Sequence, residues 1–294
     1  MTTSGIRVWF LAIRPKTLPA AITPVVMGTA MAIGDGVGHG LSATAALFAA
    51  VMIQIGTNLA NDYFDCLHGA DQCDRVGPVR VTQSGLATPN QVLVATALAF
   101  ALACAAGLYL VIRGGWPILL IGLLSILSGI LYTAGPYPLG YHGLGELFVL
   151  VFFGPVAVSG TYYVQALQVT PTVLLIGLAP GLMSVAILTV NNIRDRESDR
   201  RAGKRTLAVR FGLRIARLQY VLSVAGAGIL PIAMVLATGR HVCCLLTVLV
   251  SCLMIPTIRK VYRLEGGPEL NAVLAATGRS LFVFGLVFAT GYLL

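Results

Sequence analysis

Two short polar stretches hold most of the chain's acids. The first is Asn58-Leu-Ala-Asn61-Asp62-Tyr63-Phe64-Asp65, running on to Asp71, Asp74 and Arg75. The second runs from Asn191 and Asn192 through Arg194, Asp195, Arg196 and Glu197 to Asp199. Together they carry seven of the eleven acidic residues, a crowding that stays ionised only with cations close by. On a helix Asn58, Asp62 and Asp65 stand at i, i+4 and i+7 and share a face; Asn191, Asp195 and Asp199 stand at i, i+4 and i+8 and do the same. Hard oxygen ligands so arranged suit Mg²⁺, which commonly bridges protein carboxylates to substrate phosphates. The expected metal ligands are Asn58, Asp62, Asp65, Asp195 and Asp199, the four aspartates being the groups on which turnover depends. Basic residues are interleaved with them: Arg75, Arg80, Arg194, Arg196, Lys204 and Arg205. A bare cation site has little use for so many. A diphosphate held both through Mg²⁺ and by direct contacts does.

Both stretches close long apolar runs, 41–57 and 173–190, and the composition explains why. The chain is 57% hydrophobic and 11% charged, against about 25% charged in a soluble domain. Several runs reach the roughly 20 residues that cross a bilayer. The fold class expected is all-α: a polytopic membrane protein with one transmembrane domain over residues 1–294. Nine spans are expected at 17–34, 41–60, 91–112, 116–134, 143–164, 171–192, 215–237, 241–258 and 278–294. With the N-terminus in the cytoplasm, the alternation leaves only Arg113 and Arg240 of the twenty Lys and Arg outside. That asymmetry accounts for the net charge of +9 without nucleic acid, and it places both acidic stretches on the cytoplasmic side. The first apolar stretch follows Arg14-Pro15-Lys16 without a clear small-residue cleavage site, so no cleavable signal peptide is expected. Four spans separate the two stretches, and both leave the membrane with Asn-x-x-x-Asp. A duplicated four-helix unit followed by a ninth helix would leave that pattern.

Other residues carry narrower expectations. Glu146 opens an apolar span, where a carboxylate is costly and usually paired or functional. It would pair with a basic loop residue or, on the resemblance given below, orient a ring hydroxyl. Arg14 and Lys16 flank a proline just before the first span and would hold a phosphate or carboxylate, or anchor the helix. Cys66, His68 and Cys73 lack a fourth ligand nearby for zinc. Cys104, Cys243, Cys244 and Cys252 fall in spans and read as small packing residues. His39, His142 and His241 are scattered. A cation-coupled transporter would carry charges near the bilayer midplane, and the centres of these spans carry none.

The sequence resembles the UbiA superfamily of intramembrane prenyltransferases over nearly its whole length. The resemblance rests on Arg14-Pro15-Lys16-Thr17-Leu18-Pro19, on Asn58 to Asp65 and on Gly69-Ala70-Asp71. It continues through Asp74-Arg75, Gly77-Pro78-Val79-Arg80 and Thr82-Gln83-Ser84-Gly85. Further on it takes in Tyr132-Thr133, Tyr137 to Tyr141, Gly143 to Glu146, Gly160 to Tyr163, Asn191 to Asp199 and Arg201 to Gly212. The paired acidic motifs are those of the superfamily; the flanking stretches are similar to its naphthoate branch. Cys66 and Cys73 depart from the expected pattern. The resemblance implies helices around a central cavity with a cytoplasmic polar cap, in a bacterial inner (plasma) membrane. It implies that Mg²⁺ and the diphosphate of a polyprenyl donor bind at the acidic motifs, the tail lying in the apolar interior among membrane lipid. The implied acceptor is 1,4-dihydroxy-2-naphthoate, in menaquinone biosynthesis, with loss of CO₂; 4-hydroxybenzoate is the alternative acceptor. Substrate contacts are expected from Arg14, Lys16, Asn58, Arg75, Arg80, Asn191, Asn192, Lys204 and Arg205, with Glu146 as above. Tyr132, Tyr137 and Tyr141 are candidates to face the allylic cation.

Overall fold

Why a chain this apolar forms helices and little else follows from the solvent it meets. In hydrocarbon every backbone N–H and C=O must be satisfied within its own segment. The computed structural model describes residues 5–67, 77 and 79–294. Within them the helices are α1 (Gly5–Ile13), α2 (Leu18–Gly34), α3 (Gly40–Leu67), α4 (Pro89–Gly114), α5 (Trp116–Leu131), α6 (Gly145–Val151), α7 (Ala157–Ala166) and α8 (Pro171–Arg194). They continue with α9 (Arg196–Arg201), α10 (Leu207–Thr238), α11 (Leu246–Leu253), α12 (Ile255–Arg263) and α13 (Leu270–Leu293). Thr88 caps α4 reciprocally with Gln91, and Thr170 and Thr206 cap α8 and α10.

Among the described residues, eight helical stretches are long and apolar enough to cross a membrane. The exception among the expected spans is 116–134. Its helix, α5, has 16 residues, about 24 Å at 1.5 Å per residue, against a hydrocarbon core of about 30 Å. The structure therefore supplies eight helices of spanning length and a shorter apolar ninth, not nine equal spans. Three other spans are bent. Between α6 and α7 the backbone widens over Phe152–Val156, where Pro155 lacks an N–H and Gly154 leaves helical geometry (φ −115°, ψ −114°). A Cβ on Gly154 would lie 2.8 Å from the carbonyl of Gly177 on α8, so the bend depends on the close approach that glycine permits. Gly212 (φ 78°) bends α10, and Met254 separates α11 from α12.

α8 is the most enclosed helix. It packs along α10 and α13 in a core built on Met27, Met31, Tyr162, Ile176, Met183, Phe284 and Phe288. α3 packs along α4 in a separate, thinner layer. At one end of the bundle, polar side chains tie helix ends together. Tyr162 and Tyr292 donate to Asp35 (2.8 and 2.9 Å), and Arg113 donates to the carbonyls of Val164 and Gln165 (2.7 and 3.1 Å). The opposite end, where α3 and α8 finish, holds the acids.

Candidate functional site

α1 stops where Pro15 disfavours helical geometry for the residue before it. Arg14 takes a left-handed conformation (φ 53°), and the Thr17 amide and hydroxyl both donate to its carbonyl at 2.9 Å. The turn sets Arg14 and Lys16 on the wall of a cavity of about 720 Å³. Asn58 of α3 secures it from behind, its amide donating to the Ile13 carbonyl (2.9 Å) and to the Thr17 hydroxyl (3.0 Å).

One turn further along α3, Asp62 is 1% exposed and accepts the backbone N–H groups of Val81 and Thr82, each at 3.0 Å. Neither Asn58 nor Asp62 lies on the wall of this cavity, though Asn58 borders the apolar cavity beside it. The face expected to carry three ligands divides: Asn58 and Asp62 turn toward protein backbone, and Asn61 and Asp65, also at i and i+4, turn into the cavity. Asp65 accepts from Arg80 (2.5 Å) and the Tyr141 hydroxyl (2.9 Å), with the Lys204 ammonium at 3.4 Å. Lys204 lies 4.6 Å above the Tyr141 ring and 4.0 Å from Asp199.

The second motif is presented differently. α8 ends at Arg194, Asp195 leaves helical geometry (φ −95°, ψ 5°), and Asp199 follows on short α9. The bend keeps Asn191, Asp195 and Asp199 on one wall, with Asn192 beside them. Arg194 grips the Asp195 carboxylate with two hydrogen bonds (2.7 and 2.6 Å) and also donates to Asn191 (2.6 Å) and Asn271 (2.9 Å).

Other expected contacts fall outside this wall. Arg205 is exposed, its backbone N–H donating to the Tyr141 carbonyl (2.7 Å). Glu146 lies behind Asn192 and accepts its amide (2.9 Å). Tyr137 is exposed and stacks on His142. Arg75, His68 and Cys73 lie outside the described residues. Arg194, one of the interleaved bases, lies on the wall; wall residues that the sequence reading passed over as ligands are Asn61, Arg201 and Asn271. Asn61 had a signal, its spacing of four from Asp65. Asn271, at the start of α13, had none.

Among the described wall residues, six cations (Arg14, Lys16, Arg80, Arg194, Arg201 and Lys204) meet three carboxylates, so the cavity suits a multiply charged anion. A second cavity of about 480 Å³ lies between α2, α3, α4, α5 and the α6–α7 segment, lined mostly by Ala, Val, Leu, Ile and Phe. Asn61 and Tyr132 line both cavities. Burial, then the nearby carboxylates of Glu146, Asp199 and Asp65, push the Tyr132 phenol, just past the end of α5, above its ordinary range.

A bundle of apolar helices with a cation-rich polar cavity at one end, beside an apolar cavity with which it shares two wall residues, defines a polytopic membrane protein. The chain belongs to the UbiA prenyltransferase family, whose model matches residues 21–282. It is 43% identical over 281 residues to a 1,4-dihydroxy-2-naphthoate octaprenyltransferase of Mycobacterium tuberculosis, covering 96% of this chain and 95% of that one. It is 36% identical to the Escherichia coli protein of the same name, covering 99% and 96%. Among solved structures it resembles a UbiA homolog from Archaeoglobus fulgidus bound to GPP and Mg²⁺ (TM-score 0.66, 17% identity, 97% of this chain and 99% of that one). At that identity the likeness speaks for the fold.

Proposed function

We propose that this chain transfers a polyprenyl group from polyprenyl diphosphate to 1,4-dihydroxy-2-naphthoate with loss of the ring carboxylate as CO₂, the prenylation step of menaquinone biosynthesis. The observation that carries the reading is the paired cavities: a cation-rich polar one for a diphosphate and an apolar one for its tail, meeting at Asn61 and Tyr132. The choice of acceptor is supported by full-length relatives that bear this activity in their names.

The proposed metal ligands are the oxygens on the wall: Asp65, Asp195 and Asp199, with the amides of Asn61 and Asn191. An all-oxygen set suits Mg²⁺. Among the described residues no three His, Cys, Asp or Glu gather closely enough to hold a metal alone. Mg²⁺ usually takes one or two carboxylates and completes its shell with water and substrate phosphate. When bound, Mg²⁺ neutralises charge on the departing diphosphate. Arg14, Lys16, Arg80, Arg194, Arg201 and Lys204 would hold the remaining phosphate oxygens and stabilise the charge that grows as the allylic C–O bond breaks. The bond's electron pair leaves with the diphosphate. The electron-rich ring carbon bearing the carboxylate attacks the allylic cation, the C–CO₂ bond breaks, and its electron pair restores the aromatic ring. The apolar chamber would keep water from the cation, and Tyr132, at the junction of the two cavities, would stabilise it.

The activity resides in one domain, 1–294, in the bacterial plasma membrane. The polar cavity and N-terminus face the cytoplasm, the orientation favoured by the distribution of Lys and Arg. A Ser84→Cys label in a cysteine-free variant should react with an impermeant reagent only from the cytoplasmic side. The reaction is tested with carboxyl-labelled naphthoate and polyprenyl diphosphate. Labelled CO₂ should appear in step with prenylated product. Product that keeps the label, or transfer to 4-hydroxybenzoate but not to the naphthoate, would reject the reading.

A further inference from the structure

Asn58 and Asp62 have the residue types of metal ligands and the spacing of a ligand face, yet their polar atoms are taken up by protein groups. Asp62 spends one oxygen on the Val81 N–H and the other on the Thr82 N–H. Asn58 spends its amide hydrogens on the Ile13 carbonyl and the Thr17 hydroxyl, and its oxygen accepts from Gln54 at 3.4 Å. Both are at least 96% buried.

The segments they hold share one property: each delivers cations to the polar cavity. The turn on Asn58 carries Arg14 and Lys16. The turn on Asp62 begins at Arg80, whose guanidinium reaches Asp65 and whose carbonyl accepts the Ser84 amide (3.0 Å) and hydroxyl (2.7 Å). Residues 15–17 form a single 3₁₀ turn and residues 80–85 a few local turn hydrogen bonds, so each has little of its own to fix its place against α3. Two N–H groups captured by one buried carboxylate supply that fixing, since hydrogen bonds to charged groups are the stronger kind.

We infer that Asn58 and Asp62 are positioning residues for the diphosphate-binding cations, and that the metal is held without them. α3 thus has two polar faces with separate duties. Asn61 and Asp65 face the ligand; Asn58 and Asp62 anchor the segments that bring Arg14, Lys16 and Arg80 to it. The inference rests on the diphosphate reading of the cavity, but the anchoring itself can be measured without any ligand.

The test uses the full chain purified in detergent, with Mn²⁺ and inorganic pyrophosphate as probes. Hydrogen exchange at the Val81 and Thr82 amides should be slow in the parent and rise at least about tenfold in Asp62→Ala, with no rise in Asp65→Ala. In the presence of pyrophosphate, Asp62→Ala should bind as many Mn²⁺ per chain as the parent by electron paramagnetic resonance, and Asp65→Ala should bind fewer. Pyrophosphate affinity should fall about tenfold in Asp62→Ala, and Asp62→Ala/Arg80→Ala should be no weaker than Arg80→Ala alone. Asn58→Leu should weaken pyrophosphate in the same way and leave the Mn²⁺ count unchanged. Should Asp62→Ala fail to fold, Asp62→Asn, which keeps one acceptor oxygen, is read by the same measures. Loss of Mn²⁺ in the Asp62 variant to the level of Asp65→Ala would overturn the inference, as would unchanged exchange at Val81 and Thr82. A parent protein that binds neither probe, with the exchange result as expected, would remove the diphosphate reading and leave Asp62 as the anchor of its turn.

Discussion

The polar ends of α3 and α8 carry the same Asn-x-x-x-Asp pattern and use it in different ways. On α3 the pattern Asn58/Asp62 is turned to the protein, and the offset pair Asn61/Asp65 meets the cavity. On α8 the pattern Asn191/Asp195 itself meets the cavity. The cause is where each helix ends. α3 runs on to Leu67, so residues 58–65 all stay on one helix and point around its circumference. α8 stops at Arg194, and the bend at Asp195 brings Asp199 to the same wall. The countercharges differ as well. Asp65 is gripped by Arg80, Tyr141 and Lys204, from segments 15, 76 and 139 residues away. Asp195 is gripped by its own neighbour Arg194. Two equivalent-looking motifs therefore differ in how they are assembled: one by long-range contacts, the other mostly by local ones.

The largest effect expected is common to both halves. Removing Mg²⁺ with EDTA, or changing Asp65, Asp195 or Asp199 to Ala, should lower kcat by about 10³-fold or more in a prenyl-transfer assay, with the protein still monodisperse in detergent. Retained turnover in any of these would detach that residue from the shared cavity.

The next test separates the halves. Arg80→Ala removes a contact from a distant segment, and Arg194→Ala a local grip that also holds Asn191 and Asn271. Both should raise KM for the diphosphate donor by about 10- to 100-fold, at about 1.5–3 kcal/mol for each charged hydrogen bond. Each change takes an arginine from a buried carboxylate, but Asp65 keeps Tyr141 and Lys204, whereas Arg194→Ala also removes the partner of Asn191 and Asn271, so it should lower the thermal midpoint more than Arg80→Ala does. Equal losses of stability would show that local and long-range assembly do not differ in this way.

A smaller effect is expected from Tyr141→Phe, which deletes one hydrogen bond to Asp65 and keeps the ring under Lys204. Turnover should fall about 3- to 10-fold, the usual net worth of one hydrogen bond, about 0.5–1.5 kcal/mol, because Arg80 and Lys204 still hold Asp65. A fall as deep as that of Asp65→Ala would mean that the hydroxyl acts directly on substrate.

The smallest effect is in pH dependence. Folding raises the pKa of Tyr132, through burial first and nearby carboxylates second. Its contribution to stability is complete below the ordinary phenol value of about 10 and is lost as the pH rises above that value toward the folded one. Tyr132→Phe should therefore lose less thermal stability than the parent between about pH 9 and 11, and the two should run parallel below. Parallel curves throughout would show that Tyr132 does not bring the junction this sensitivity.

Much of the fold was legible in the chain because hydrophobic length is a one-dimensional property. Runs such as 173–190 need no partner to declare that they cross a membrane, since the bilayer sets the length. The acidic stretches were legible as chemistry for a similar reason: acids and amides at helical spacing on the rim of apolar runs have few other uses. Rotation about the helix axis was not legible. Asn58, Asn61, Asp62 and Asp65 lie within about 100° of one another on α3, each being 100° of turn per residue, and only the packing of the 13–17 and 80–85 turns decides which pair meets ligand. Asn271 and Arg201 reach the cavity because α13 and α9 end beside it, which no local pattern records. The sequence by itself determined the membrane class, the family and the oxygen-and-cation chemistry, because composition and short-range spacing encode them. Tertiary structure alone decided which oxygens face the cavity and which anchor its walls, because that depends on where distant turns dock.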